Sequence, residues 1–360
     1  MSSMDPEHTA SSDPRPQRNR PFKSESTKDT LELGPFRITP IEAGSFRLDG
    51  GAMFGVVPKT LWSSAIESDA LNRIPMAMRC MLVESSATGR IYLVDTGAGT
   101  KFDRKMSSIY DLSYGVGVGG DAASNPLLLS LANIGIQPEE ITDVIFTHLH
   151  FDHCGGAVKR TESGIGMDSE AHDAFAHEPN PFELTFPSAT HHVSKRQWET
   201  ATTPNAREKA SFLKENIGTL RHALELGSLL LEEDHVQFEP GFDTLIVDGH
   251  TSGQWLPRLK GALRTKRTTP EPAVGESNTS NPVTLLYAAD LIPTKHHVPI
   301  PWVMGYDMRP LLTLEEKQQL LSLAANERWV LFLEHDPEDS LIMIEKDEKG
   351  RYSGVPIPPV

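Results

Sequence analysis

Cysteine is nearly absent from this chain: Cys80 and Cys154 are the two in 360 residues. Two thiols cannot build a disulfide framework or a four-cysteine zinc site. Long apolar runs are missing as well; no stretch approaches the roughly 18 residues that a membrane-spanning helix needs. Met1 to Lys28 is Ser, Pro, Asp and Arg with almost no large aliphatic side chains, so it has no apolar core for export. A cytoplasmic, reduced location is the expectation. Basic charge is in deficit, 34 Lys and Arg against 49 Asp and Glu, for a net charge of −15. Nucleic acid and anionic membrane surfaces are bound by Lys and Arg that neutralise phosphates, so neither is the expected partner. The acidic surplus serves solubility.

What is present describes an ordinary globular chain, with 38% hydrophobic and 23% charged residues. Residues 1–30 are too polar to bury surface that would offset the entropy of ordering, and read as a disordered tail. Residues 31–360 read as one domain. Within it, 264–282 are polar, rich in Pro, Ser and Thr, and aperiodic, which predicts a flexible surface loop. Phe36 to Phe46, Met78 to Glu84, Ile91 to Val94 and Ile141 to Phe146 read as strands, as do Thr244 to Val247, Val283 to Ala288 and Trp329 to Leu333. Helices are expected over Asn125 to Ile134, Ala206 to Ile217, Thr219 to Leu231 and Leu314 to Ala325. Strands and helices mixed in this order favour an α/β layered architecture.

The most informative segment is Thr147-His148-Leu149-His150-Phe151-Asp152-His153-Cys154-Gly155-Gly156. Four metal-ligating side chains follow a buried strand at once. In extended chain His148 and His150 share a face, and a turn then brings Asp152 and His153 around. Neutral imidazoles with a carboxylate suit Zn²⁺, and also Fe, Mn or Co. Gly155 and Gly156 let the backbone bend around the site.

This His-x-His-x-Asp-His pattern resembles the hallmark of the metallo-β-lactamase superfamily, and the resemblance runs from about Pro35 to the C-terminus. Asp248-Gly249-His250-Thr251-Ser252-Gly253-Gln254 is similar to its third-histidine motif. Ala288-Ala289-Asp290-Leu291 is similar to its bridging aspartate, and Leu333-Glu334-His335-Asp336 to its final histidine. The resemblance implies a four-layer αβ/βα sandwich with the site along one edge. It implies His148, His150 and His250 on a first divalent ion, Asp152, His153 and His335 on a second, and Asp290 with a hydroxide bridging them. Asp152 and Asp290 would be the catalytic carboxylates, Asp152 also passing a proton to the leaving group. Flavodiiron members carry Glu where His150 stands, and β-lactam-degrading members often Cys at the bridge. Asp290 therefore points to lactonase, glyoxalase-II or phosphotriesterase chemistry.

The wording of the motif is most similar to N-acyl homoserine lactone lactonases and methyl-parathion-type hydrolases. Asp49 to Gly55, Phe186 to Trp198, Asp290 to Thr294 and Trp302 to Asp307 resemble further segments of that group. On this resemblance a small molecule is the partner, and Met53, Phe54, Trp302, Met304 and Tyr306 are candidates to line its pocket. Some of these lactonases carry a tyrosine three residues after the bridging aspartate; here that residue is Pro293. Lactone or ester opening is the leading expectation, with phosphotriester hydrolysis and a non-catalytic metal-bound module as alternatives. Assembly is left open, a homodimer being one form considered.

Overall fold

The computed structural model describes residues 21–25, 27, 30–112, 125–161, 181–263 and 282–357. In chain order the strands of the first sheet begin with β1 (Leu31–Leu33), β2 (Phe36–Asp49), β3 (Arg73–Ser85), β4 (Ile91–Val94) and β5 (Asp143–Ile145). A separate hairpin, β6 (Val158–Arg160) with β7 (Phe182–Leu184), follows, and β8 (Thr190–Ser194) and β9 (Leu229–Glu232) complete the first sheet. The second sheet holds β10 (Gln237–Glu239), β11 (Phe242–Val247), β12 (Gln254–Ala262), β13 (Pro282–Tyr287), β14 (Val330–Phe332), β15 (Leu341–Lys346) and β16 (Tyr352–Pro356). Strand order follows chain order in both seven-stranded sheets. The steps β4–β5, β5–β8, β8–β9 and β13–β14 are parallel, and the remaining steps are antiparallel.

The central strands are apolar on both faces because both faces are covered. On β3, Cys80 and Leu82 enter one core while Met81 and Val83 enter the other. Leu93 and Val144 join the former; Tyr92, Val94 and Ile145 join the latter. The first core is closed by α4 (Pro126–Asn133), α6 (Lys195–Thr202) and α7 (Lys214–Glu225), through residues such as Leu131, Trp198 and Leu220. The second lies between the sheets and extends to Leu320, Leu321 and Ala324 of α8 (Pro310–Glu327). The layers are therefore helices, sheet, sheet, helix, which is the αβ/βα sandwich expected. Four short helices serve the loops: α1 (Gly50–Phe54), α2 (Lys59–Trp62), α3 (Arg104–Tyr110) and α5 (Phe151–Cys154).

Two expected helices are corrected. Over Ala206 to Ile217 the chain first makes a turn, with Asn205 Oδ1 accepting the amides of Arg207 and Glu208 at 2.9 and 3.1 Å, and α7 starts only at Lys214. Over Thr219 to Leu231 that helix ends at Glu225, Gly227 takes φ +77°, and Leu229–Glu232 pair with β8 as the edge strand β9. Leucine-rich runs of that length carry no period that separates a strand from a buried helix.

Of the expected tail, residues 1–20 lie outside the described residues. Ser24 is buried and donates through its amide (2.8 Å) and hydroxyl (2.9 Å) to Glu84 at the end of β3. The expected loop 264–282 lies outside the described residues apart from Pro282, which opens β13.

Candidate metal centre

The metal-type side chains gather where strands of both sheets end. Leaving β5, the chain is gripped at Thr147, whose amide (2.8 Å) and hydroxyl (2.7 Å) donate to Asp95, itself in the left-handed region at φ +55° just after β4. The loop that follows β4 passes very close to the one that follows α5. A Cβ on Gly155 would lie 2.2 Å from Ala98 O, and one on Gly156 would lie 2.0 Å from Thr96 O. Close backbone approach, and not a sharp bend, is what requires these two glycines. His250 follows β11, Asp290 follows β13 and His335 follows β14. Ala289, immediately before Asp290, also has a positive φ, +43°, the kind of outlier that concentrates at functional sites.

Two donor groups face each other, His148, His150, His250 and Asp290, and Asp152, His153 and His335, while a third set, Asp95, His153 and Glu334, gathers around the other nitrogen of His153. Within the first, His150 Nδ1 lies 3.1 Å from His148 Nε2 and 3.2 Å from His250 Nε2, and Asp290 Oδ2 lies 3.1 Å from His250 Nε2. Within the second, His335 Nε2 lies 3.3 Å from His153 Nε2 and 3.7 Å from Asp152 Oδ2. Asp290 stands between the groups, its other oxygen 3.2 Å from His335 Nε2 and its Oδ2 3.6 Å from His153 Nε2. Donors of a tetrahedral ion bound at 2.0–2.1 Å are about 3.4 Å apart, so these spacings fit a coordination shell. Asp290 Oδ1 is buried with no hydrogen-bond partner among the described residues. Its donor-type neighbour is His335 Nε2 at 3.2 Å, and a cation between the two would partner both.

Each ligand-type histidine is oriented from behind. His250 Nδ1 faces Asp307 Oδ1 at 3.0 Å, and His335 Nδ1 faces Ala77 O at 2.8 Å. His150 presents Nδ1 to the site and turns Nε2 to Glu208 at 3.3 Å; Glu208 also accepts from Thr251 Oγ1. His153 Nδ1 has carboxylates on two sides, Asp95 Oδ2 and Glu334 Oε2, each at 3.0 Å. None of Asp95, Glu208, Glu334 and Asp307 was singled out as a candidate from the sequence. Glu334 beside His335 and Asp95 at the end of a β-type run were the available signals; Glu208 lay inside an expected helix.

In the protein alone the charges are divided. Burial, with His153 and His150 nearby, pushes His148 well below the ordinary histidine value, and burial lowers His150. Burial acts downward on His250 and His335 too, but Asp290 outweighs it, with Asp307 for the one and Glu334 for the other. They rise to about 10 and about 9. Burial would raise Asp290, yet His153, His250 and His335 hold it well below the carboxylate range. The centre is thus built to concentrate positive charge around a buried carboxylate.

Above the donors lies a cavity of ≈150 Å³ lined by Leu48, Met53, Met76, Tyr110, Phe151 and Met304, with Arg207, Ala210, Ser211 and Tyr306 and the donors His150, Asp152, His250, Asp290 and His335. Of the candidate pocket residues, Met53, Met304 and Tyr306 line this cavity. Phe54 and Trp302 do not line it. Phe54 is fully buried, stacked on His297 at 4.7 Å and Trp62 at 5.4 Å, with Trp302 against its edge at 5.5 Å. A short helix carries Met53 and Phe54 on successive residues, so one side chain meets the cavity while its neighbour enters the core. His297 links the two, its Nδ1 facing Thr294 Oγ1 at 2.8 Å and its Nε2 facing Met53 O at 2.9 Å. A larger groove of ≈640 Å³ shares only Met76 with this cavity and carries none of the donors.

Residues 77–164 match the family model described as the metallo-beta-lactamase superfamily. No curated relative matches the chain at a significant level. Among solved structures, a probable metal-dependent hydrolase from Staphylococcus aureus is 22% identical with a TM-score of 0.69, covering 91% of this chain and 99% of its own. The dizinc quorum-quenching lactonase AidC, in complex with a product N-hexanoyl-L-homoserine, is 20% identical (TM-score 0.63; 91% and 96% covered). AiiA of B. thuringiensis, with N-decanoyl-L-homoserine bound, is 18% identical (TM-score 0.51; 84% and 93% covered). Among the described residues no helix is long and apolar enough to cross a membrane. The donor groups lie at the motif within residues 77–164, the segment similar to the metallo-beta-lactamase superfamily, and at strand ends beyond it.

Proposed function

We propose that this chain is a dinuclear hydrolase that opens a lactone or a related ester, with Zn²⁺ the ion best suited to its donors. One observation carries the reading: two donor groups share Asp290 directly beneath a largely apolar cavity. His148, His150 and His250 would hold one ion, Asp152, His153 and His335 the other, and Asp290 would touch both. Two divalent ions there supply Lewis acidity and water of lowered pKa. The chain does the rest. Leu48, Met53, Phe151 and Met304 exclude bulk water and seat an apolar acyl portion. Tyr110 and Tyr306 bring hydroxyls to the same cavity, and burial keeps Tyr306 protonated, raised to about 12. Either can donate to the ester carbonyl, a task for which residue 293, a proline, is unfit. Water adds to the acyl carbon and gives up a proton to Asp152, the ring C–O bond breaks, and Asp152 passes that proton to the departing alkoxide, giving a hydroxy acid. The complexes with open-chain N-acyl-L-homoserines among the structural neighbours support this reading.

The test is an assay of metal-loaded protein on lactones and on phosphotriesters, with an Asp290→Ala variant. Lactone opening that Asp290→Ala abolishes is expected. Turnover of phosphotriesters alone would reassign the substrate, and full activity in Asp290→Ala would end the shared-carboxylate account.

A further inference from the structure

The turn at 205–211 replaces an expected helix, and it sends two adjacent side chains to different tasks. Glu208 goes inward to His150 Nε2 and Thr251 Oγ1. Arg207 reaches the loop after Trp302, where its Nη2 donates to the carbonyls of Gly305 and Asp307, 3.2 Å to the latter. Asn205, which fixes the turn, also lies 3.7 Å from Met308 Sδ on that loop. The guanidinium is thus pinned at one end while it lines the cavity. Its Nε and Nη1 have no acceptor among the described residues. Histidines aside, it is the one cationic side chain lining the cavity among the described residues, and the carboxylates found there, Asp152 and Asp290, both belong to the donor groups. A guanidinium held in place with free N–H groups loses little entropy on binding and suits an oxygen acceptor in bidentate or charge-assisted contact.

We propose that Arg207 is a specificity-determining residue that binds an oxygen acceptor borne by the substrate outside its scissile ester, either a carboxylate or an amide carbonyl. This rests on the lactone reading above. It restricts the substrate to lactones that carry a polar arm, with the small cavity beside Met53 and Met304 taking a compact apolar portion.

The experiment compares metal-loaded wild type, Arg207→Met and Arg207→Lys on three γ-lactones: unsubstituted, N-acylamino-substituted and carboxylate-substituted. Metal content and melting temperature are recorded for all three proteins. In Arg207→Met, kcat/KM falls roughly 10- to 100-fold further on the armed substrate than on the plain lactone, mostly through KM. The arm that suffers identifies the acceptor. Arg207→Lys, a point charge without the planar fork, recovers part of the loss on a carboxylate and little on an amide. An equal loss on all three lactones, or none on the armed ones, overturns the assignment. Calorimetric binding of the corresponding open-chain hydroxy acids gives a readout independent of turnover. Wild type that opens no lactone but binds an armed hydroxy acid more weakly in Arg207→Met would fail the lactone reading and keep Arg207. Lactone opening with hydroxy-acid affinity unchanged in the variant would do the reverse.

Discussion

Asp307→Asn separates two jobs that one carboxylate performs. Asp307 Oδ1 faces His250 Nδ1 at 3.0 Å, while Oδ2 accepts the amide of Met304 at 3.1 Å. Asparagine fits the same space but has one acceptor oxygen, so one donor loses its partner and the charge behind His250 disappears. Losing a buried hydrogen bond of this kind costs about 1.5–3 kcal/mol. Partners behind a ligating histidine change metal affinity by about 10- to 100-fold, the same scale. The assay is competition against a fluorescent chelator at fixed pH, with bound metal counted by elemental analysis. On the dinuclear proposal, the ion that His148, His150 and His250 would hold is expected to weaken by that factor, while the one that Asp152, His153 and His335 would hold changes little. Affinities for both ions within about twofold of wild type, where the scale above is at least tenfold, would refute the idea that Asp307 acts through His250.

Three other outcomes follow from the same contacts. Phe54→Ala should cost about 3–5 kcal/mol of stability by denaturant melting, because a core ring is removed from between His297, Trp62 and Trp302; a large KM effect with intact stability would return Phe54 to the pocket. Lys317 is buried on α8 and donates to the carbonyls of Pro299 (3.1 Å), Ile300 (3.4 Å) and Trp302 (2.7 Å), and burial lowers it to about 7. Lys317→Met strands those carbonyls and should destabilise by about 1–3 kcal/mol, raising KM more than it lowers kcat, since the freed loop carries Met304 and Tyr306. Burial pushes His297 down to about 3, so the unfolded chain binds the extra proton first as pH falls. Its contribution to stability is complete above about pH 6.5 and is lost toward pH 3, at up to about 1.4 kcal/mol per pH unit. Urea melts of His297→Gln between pH 4 and 6 should show a shallower slope than wild type; equal slopes would contradict this.

The donor residues were legible because each follows an apolar strand, and buried strands announce themselves: Ile141 to Phe146 before His148, Val283 to Ala288 before Asp290, Trp329 to Leu333 before His335. The layers were legible for the same reason. The partners behind the histidines were not, because Glu208, Asp95 and Asp307 reach His150, His153 and His250 from segments 57 to 58 residues away, a separation with no local signature. Phe54 and Met53 show the limit within a single turn. Composition marks both as pocket material, and only the direction of each Cβ decides which one enters the core. The turn at 205–211 was hidden by Ala, Lys and Leu that favour a helix, and the asparagine at 205 overrode them through its own hydrogen bonds.

The central claim is that the seven donors hold two ions that share Asp290. Bound metal per chain, measured after loading with Zn²⁺ and removal of excess, tests it most directly. Two equivalents are expected in wild type, with a clear loss in Asp290→Ala. One equivalent or none in wild type, or two in the variant at unchanged affinity, would contradict it.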